Sequence, residues 1–300
     1  MHVQSKTHRA ISVIAISLIS FVGLELLVYI NNLYLTQTYI MVSFYIYFFM
    51  LLWLYFIFDL HFKDRDYLDA KTITRTIGRR FKHFAVWENF RYFQNFLILP
   101  GLLYWGSIVL IGINFGHLKL QHFIAVTTSL ALVVAYSLFK EVFHQKQAPI
   151  TNSHFVMLTY IKVYASWLVY AGSLGIVWYY CFKPIVFYVV VFLVTLMLLY
   201  QALFQFCKIT LQNLGLAVLV SLVMALTSFF VYQFWNVNYF SAGLFLMAFY
   251  NFLWNILYHL IKKTLNGQVF LEQLTIFILI VVMVFGVTNF KAKIERCVFY

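Results

Sequence analysis

Charge is scarce in this sequence. Asp, Glu, Lys and Arg make up 10% of the chain, against roughly a quarter in a soluble domain. Apolar residues make up 64%. A core of 300 residues cannot enclose that much apolar surface, so lipid must cover the rest. The apolar excess also excludes a disordered chain. Glycine and proline are few, 12 and 3, which excludes collagen-like and low-complexity architectures. The cysteines Cys181, Cys207 and Cys297 are scattered. Their spacing gives no disulfide framework and no thiolate metal site. No phosphate-binding loop, HExxH, nucleophile elbow or dinucleotide fingerprint occurs, and no cofactor is expected.

What the sequence has is long apolar runs. A helix needs about 20 apolar residues to cross the hydrocarbon core. Nine segments qualify, approximately 10–30, 39–58, 93–113, 122–139, 155–178, 185–206, 214–235, 240–261 and 269–288. None alternates with period two, so β-barrel strands are excluded. The expected fold is all-α: a polytopic transmembrane helix bundle of about nine spans, eight or ten if a boundary is miscounted. The fourth span is short and the fifth contains Lys162. No internal repeat or linker divides the chain, so residues 1–300 form a single integral membrane domain.

The basic excess, 21 Lys and Arg against 9 acids, is topological. Most of these cations lie between apolar runs, which points to anionic lipid headgroups rather than to nucleic acid. With nine spans and the N-terminus in the cytoplasm, the outer segments hold Lys119, Lys183, Lys291, Lys293 and Arg296. Lys162 is inside a span, and the other fifteen basic residues are cytoplasmic. Lys6 and Arg9 precede a first span that has no cleavage site, so it stays in the mature chain. The expected location is a bacterial plasma membrane.

Residues 59–92 form the one large loop, inserted between spans two and three. At helical spacing, Ile73, Ile77, Phe81, Phe84 and Trp87 share one arc, and Lys71, Arg75 and Lys82 oppose it. That pattern predicts a cytoplasmic amphipathic interfacial helix over about 71–92. Lys71, Arg75, Arg79, Arg80 and Lys82 are its candidate headgroup-binding cations. Arg80 projects from the apolar arc and can either snorkel or point into the bundle. Upstream, His61, Asp64 and Asp66 are the residues nearest to a metal-ligand set. Interleaved Lys63 and Arg65 favour a salt-bridged turn, and no metal site is assigned.

Ionisable residues inside spans are costly and therefore informative. Glu25, Lys162 and Glu272 are three such residues, and Lys162 and Glu272 have the depth and charge for an ion pair. Asn251, Asn255 and His259 form an i, i+4, i+8 stripe in span eight. Gln201 and Gln205 share a face of span six, and Pro100-Gly101 can break span three. These place Arg80, Lys162, Gln201, Gln205, Asn251, Asn255, His259 and Glu272 around one candidate inward-facing polar cavity. The competing reading is that the amides only bond helices together. Small residues Ala171 and Gly175, and Ala217, Ser221 and Ala225, mark close helix approaches.

Three functional classes follow. First is a non-catalytic membrane component, an assembly subunit or lipid-interacting accessory protein with a membrane protein partner. Second is a secondary transporter or permease that uses the polar cavity. Third is a membrane-embedded enzyme acting on a lipid-linked or phosphorylated substrate. The missing motifs favour the first and leave an enzymatic role open.

Overall fold

The computed structural model describes residues 2–33, 36–60, 87–144, 152–206 and 210–288. Among these there are nine helices and no strand: α1 (His2–Asn32), α2 (Thr36–Leu60), α3 (Trp87–Ile113), α4 (Leu118–His144), α5 (Asn152–Tyr179), α6 (Ile185–Phe206), α7 (Leu211–Phe234), α8 (Tyr239–Ile261) and α9 (Gly267–Val287). They match the nine apolar runs one for one. Seven of them, α2 and α4 to α9, are long and apolar enough to cross a bilayer; α1 and α3 carry the shorter apolar stretches Ser17–Asn32 and Leu97–Ile113.

The helices start slightly ahead of the apolar runs, because polar residues cap them. Thr210, Asn238 and Asn266 each accept a backbone N–H bond at the head of α7, α8 and α9, satisfying a donor that has no intrahelical partner. Residues 87–92 are continuous with α3; residues 71–86, the rest of the expected surface helix, lie outside the described residues. The expected break at Pro100-Gly101 does not occur: α3 runs through Pro100 uninterrupted.

α5 is the hub. It packs on α3, α8, α6 and α4. It has the lowest mean hydropathy of the seven long apolar helices and is the most buried of them. That inversion is physical: a helix facing protein needs packing and hydrogen bonds, whereas a helix facing lipid needs apolar surface. Two glycines let its neighbours approach. A Cβ on Gly243 of α8 would lie 2.6 Å from the Cβ of Ala171, and one on Gly106 of α3 would lie 2.8 Å from the Cβ of Leu168. Both distances are below any ordinary contact, so only glycine fits. The expected close approach at Ala171 is thus made by Gly243, and Ala217 and Ser221 are buried on α7.

The other helices surround this hub. α1 packs on α4, α2 and α3; α7 packs chiefly on α6; α9 packs on α8. α9 is the outlier, with Val284 its one buried residue.

One sequence expectation changes. Cys181, in the turn between α5 and α6, is disulfide-bonded. A bond to a distant cysteine leaves no local spacing signature, so sequence spacing could not reveal it.

Candidate functional site

The buried polar groups form three clusters. The first is built on Lys162, whose side chain is 2% exposed near the start of α5. Its Nζ donates to the Gln205 Oε1 of α6 at 2.5 Å. Gln201, one turn back on α6, is fully buried beside this contact's helix face. Further along the same interface Tyr170 and Thr195 share a 2.8 Å hydrogen bond. Two of the sequence-chosen residues therefore touch, and no carboxylate forms an ion pair with Lys162 among the described residues. The amine is held by an uncharged oxygen within a span. An ionisable group this deep in a span, with no countercharge beside it among the described residues, is costly in hydrocarbon, which makes this position chemically distinct from the rest of the core.

The second cluster lies between α8 and α9. Asn255 Nδ2 donates to Gln273 Oε1 at 2.8 Å. His259 Nδ1 is 2.9 Å from Thr264 Oγ1 in the connecting turn. Gln268 Nε2 donates to Glu272 Oε1 at 3.2 Å, and this pair is exposed. Tyr250, Trp254 and Leu257 take the buried face of α8, and Asn251 and Asn255 are half-buried beside it. The stripe of span eight thus serves α9. The structure brings Lys162 to Gln205 and Asn255 to Gln273. It does not bring Lys162 to Glu272, and the expected ion pair between them is replaced by two amide contacts. Glu272 lies on α9, whose main packing partner is α8, and its carboxylate accepts from Gln268 of its own helix.

The third cluster, at the other end of the bundle, escaped the sequence reading. Asn31 donates to the Ile111 carbonyl at 2.9 Å, and Asn32 donates to the Gln121 Oε1 at 2.7 Å. Gln121 donates to the Asn114 carbonyl at 2.8 Å, and the Tyr239 hydroxyl donates to the Asn114 Oδ1 at 2.7 Å. Together they tie α1, α3, α4 and α8. Beside them His122 Nδ1 lies 2.8 Å from a Glu25 carboxylate oxygen, so the in-span Glu25 has a partner. The available signal was the amides clustered at the ends of spans one, three and four. Taken singly, each is a polar residue near a span end, where such a residue is cheap.

An apolar cleft of 290 Å³ opens between α1 and α2, lined by Leu18, Val22, Phe49, Met50 and Tyr104 among others. Lys71, Arg75, Arg79, Arg80 and Lys82, and also His61, Asp64 and Asp66, lie outside the described residues. Among the described residues no three metal-ligating side chains converge.

Comparison of the chain with protein-family models, with curated proteins and with solved structures finds no match. The fold and the buried polar clusters define a class: an all-α, multi-pass membrane protein.

Proposed function

We propose that this is a non-catalytic component of a membrane assembly, a nine-span subunit that presents α9 to a protein partner. α9 supports this reading. Glu272 is exposed about five residues into the helix, roughly 8 Å along its axis. Gln268 and Thr275 are exposed on the same face at helical spacing. A carboxylate and two hydrogen-bonding groups on a lipid-facing surface are unfavourable in hydrocarbon. They suit a partner helix carrying a basic or donor side chain. The interior fits the same role, because its polar groups bond one helix to another and its glycines interlock, as in a rigid scaffold. In this reading the N-terminus is cytoplasmic in a bacterial plasma membrane. The basic segment 71–92 meets anionic headgroups on that side.

The test is photo-crosslinking from position 279, the exposed leucine one turn beyond Thr275, in native membranes. The expected result is one protein, crosslinked and co-purified in fixed stoichiometry, and lost with Glu272→Leu. Crosslinks to lipid alone would overturn the reading.

A second reading rests on Lys162. A buried amine with one uncharged partner suits a transporter that binds an anion or moves a proton. Substrate-dependent protection of the protein that Lys162→Met abolishes, in a protein that still folds, would favour it.

A further inference from the structure

α9 shows one face to α8 and the opposite face outward, and the two carry different chemistry. At about 100° per residue, Gln273, Phe277, Ile280 and Val284 fall on one side. Gln273 accepts from Asn255, and Phe277 packs on Phe249 and Phe252 of α8 with ring centroids 5.6 and 5.3 Å apart. Ile280 packs on the core and Val284 is buried. Gln268, Glu272, Thr275, Leu279, Val282 and Gly286 fall opposite, within an arc of about 80°, and all six are exposed.

Two observations separate this outer seam from ordinary lipid-facing surface. The first is its spacing. Steps of four, three, four, three and four residues repeat the heptad pattern by which one helix packs along another at a crossing angle of about +20°. Gly286 lies on the seam, and a Cβ there would meet nothing within 4 Å, so a second backbone can approach closely at that end.

The second is an imbalance of hydrogen-bonding groups. Gln268 Nε2 donates to Glu272 Oε1 at 3.2 Å, and Thr275 Oγ1 donates to the Leu271 carbonyl at 2.8 Å. The amide and the hydroxyl thus spend donors within α9, and the acceptors remain. A carboxylate takes about four hydrogen bonds, and among the described residues no Lys or Arg pairs with Glu272. Glu272 lies inside a span, where an uncompensated carboxylate is costly. What completes the seam is a donor that carries positive charge.

A second copy of this chain does not supply it. Copies share one orientation in the bilayer, so a two-fold pair through α9 would set each seam residue against its own counterpart, and Glu272 against Glu272. α9 has no Lys or Arg between Gly267 and Val287, and Lys162, inside another span, is itself enclosed.

We infer that α9 pairs along this seam with one transmembrane helix of a different chain, and that this helix carries a Lys or Arg level with Glu272. The inference rests on the reading of α9 as a partner-binding helix and adds the register, the charge and the heteromeric character of the contact.

The experiment is a photo-crosslinking scan of the full-length protein in native membranes. p-Benzoylphenylalanine replaces, one at a time, Thr275, Leu279 and Val282 on the seam and Ile276, Ile278 and Phe285 beside it. The crosslinked peptides are identified by mass spectrometry. Protein adducts from the three seam positions are expected several-fold above those from the other three. They should map to one transmembrane segment with a Lys or Arg level with Glu272. Glu272→Gln keeps the side-chain shape and removes the charge, and should lower the seam yield several-fold. Glu272→Lys should abolish it, and Glu in place of the partner's basic residue should restore it in that background. Equal yields around the helix, a partner segment without Lys or Arg, adducts to a second copy of this chain, or no restoration by the charge swap would overturn this inference and leave the partner reading in place. Adducts to lipid alone at all six positions would overturn that reading as well.

Discussion

Lys162 on α5 donates to Gln205 on α6 at 2.5 Å, with 2% of the lysine exposed. The contact joins the hub helix to its neighbour through a buried amine and a neutral amide. The energetic consequence is asymmetric. Removing the amide leaves a buried amine with no acceptor, whereas removing the amine leaves only a neutral oxygen.

Gln205→Leu is therefore expected to destabilise the protein by about 1–3 kcal/mol, the cost of stranding a buried polar group. Lys162→Met keeps the side-chain volume, removes the amine and leaves only the neutral Gln205 oxygen unpaired, so it should cost less than Gln205→Leu, whereas replacing both partners can be nearly neutral. The double variant should recover most of the loss caused by Gln205→Leu. Reversible unfolding of the four proteins in one detergent gives the cycle. Additive losses would show that the two side chains do not depend on each other.

The glycine contact makes a second prediction. Gly243→Ala places a methyl against Ala171, where a Cβ would lie at 2.6 Å from the alanine's own. Overpacking of this kind costs about 1–3 kcal/mol. Ala171→Gly in the same chain removes the opposing methyl and should restore part of the thermal midpoint. No rescue would mean that the backbones, rather than the Cβ atoms, set the approach of α5 and α8.

These two contacts also show what the sequence discloses. The apolar runs placed all nine helices, because a span is a matter of length and hydropathy. Lys162 and Gln205 were both singled out, and they meet. Their partners were not legible. Periodicity assigns a residue to a face of its own helix and does not say which neighbour that face meets. Asn255 and His259 were assigned to the Lys162 cluster on shared depth, yet the face they occupy meets α9 and its connecting turn. Glu272 had the right depth and charge for Lys162 but lies on the wrong helix. The amides at the opposite end were passed over for a related reason. Each looks like a cheap end residue until four helices are drawn together around Gln121.

Gln121 is fully buried. It accepts from Asn32 and donates to the carbonyls of Asn114 and Ile111. Gln121→Leu removes all three contacts and should cost about 1–3 kcal/mol through the groups left behind. Asn32→Ala should cost less alone and little more in the Gln121→Leu background, since its acceptor is already gone. Unfolding measurements on the two single variants and the double variant decide this. A full additional loss would place the value of Asn32 in its bond to the Val28 carbonyl instead.

The last prediction separates α9 from the rest of the molecule. Val284 is its one buried residue, and the Asn255–Gln273 bond is its polar tie to α8. On the outer face Glu272 and Thr275 bond within their own helix, to Gln268 and to the Leu271 carbonyl, so substitutions there disturb little else in the chain. Glu272→Leu and Thr275→Leu should leave the thermal midpoint of the purified protein within about 0.5 kcal/mol of the parent, whereas core changes such as Gln205→Leu lower it. In native membranes the order should reverse if a partner helix covers that face. A bound partner stabilises by mass action, so the α9 variants should then lose more stability than they do when purified. Thermal unfolding measured in both settings gives the two differences. If the α9 variants are neutral in membranes as well, lipid alone covers this helix, and a role for Glu272 in holding a partner fails.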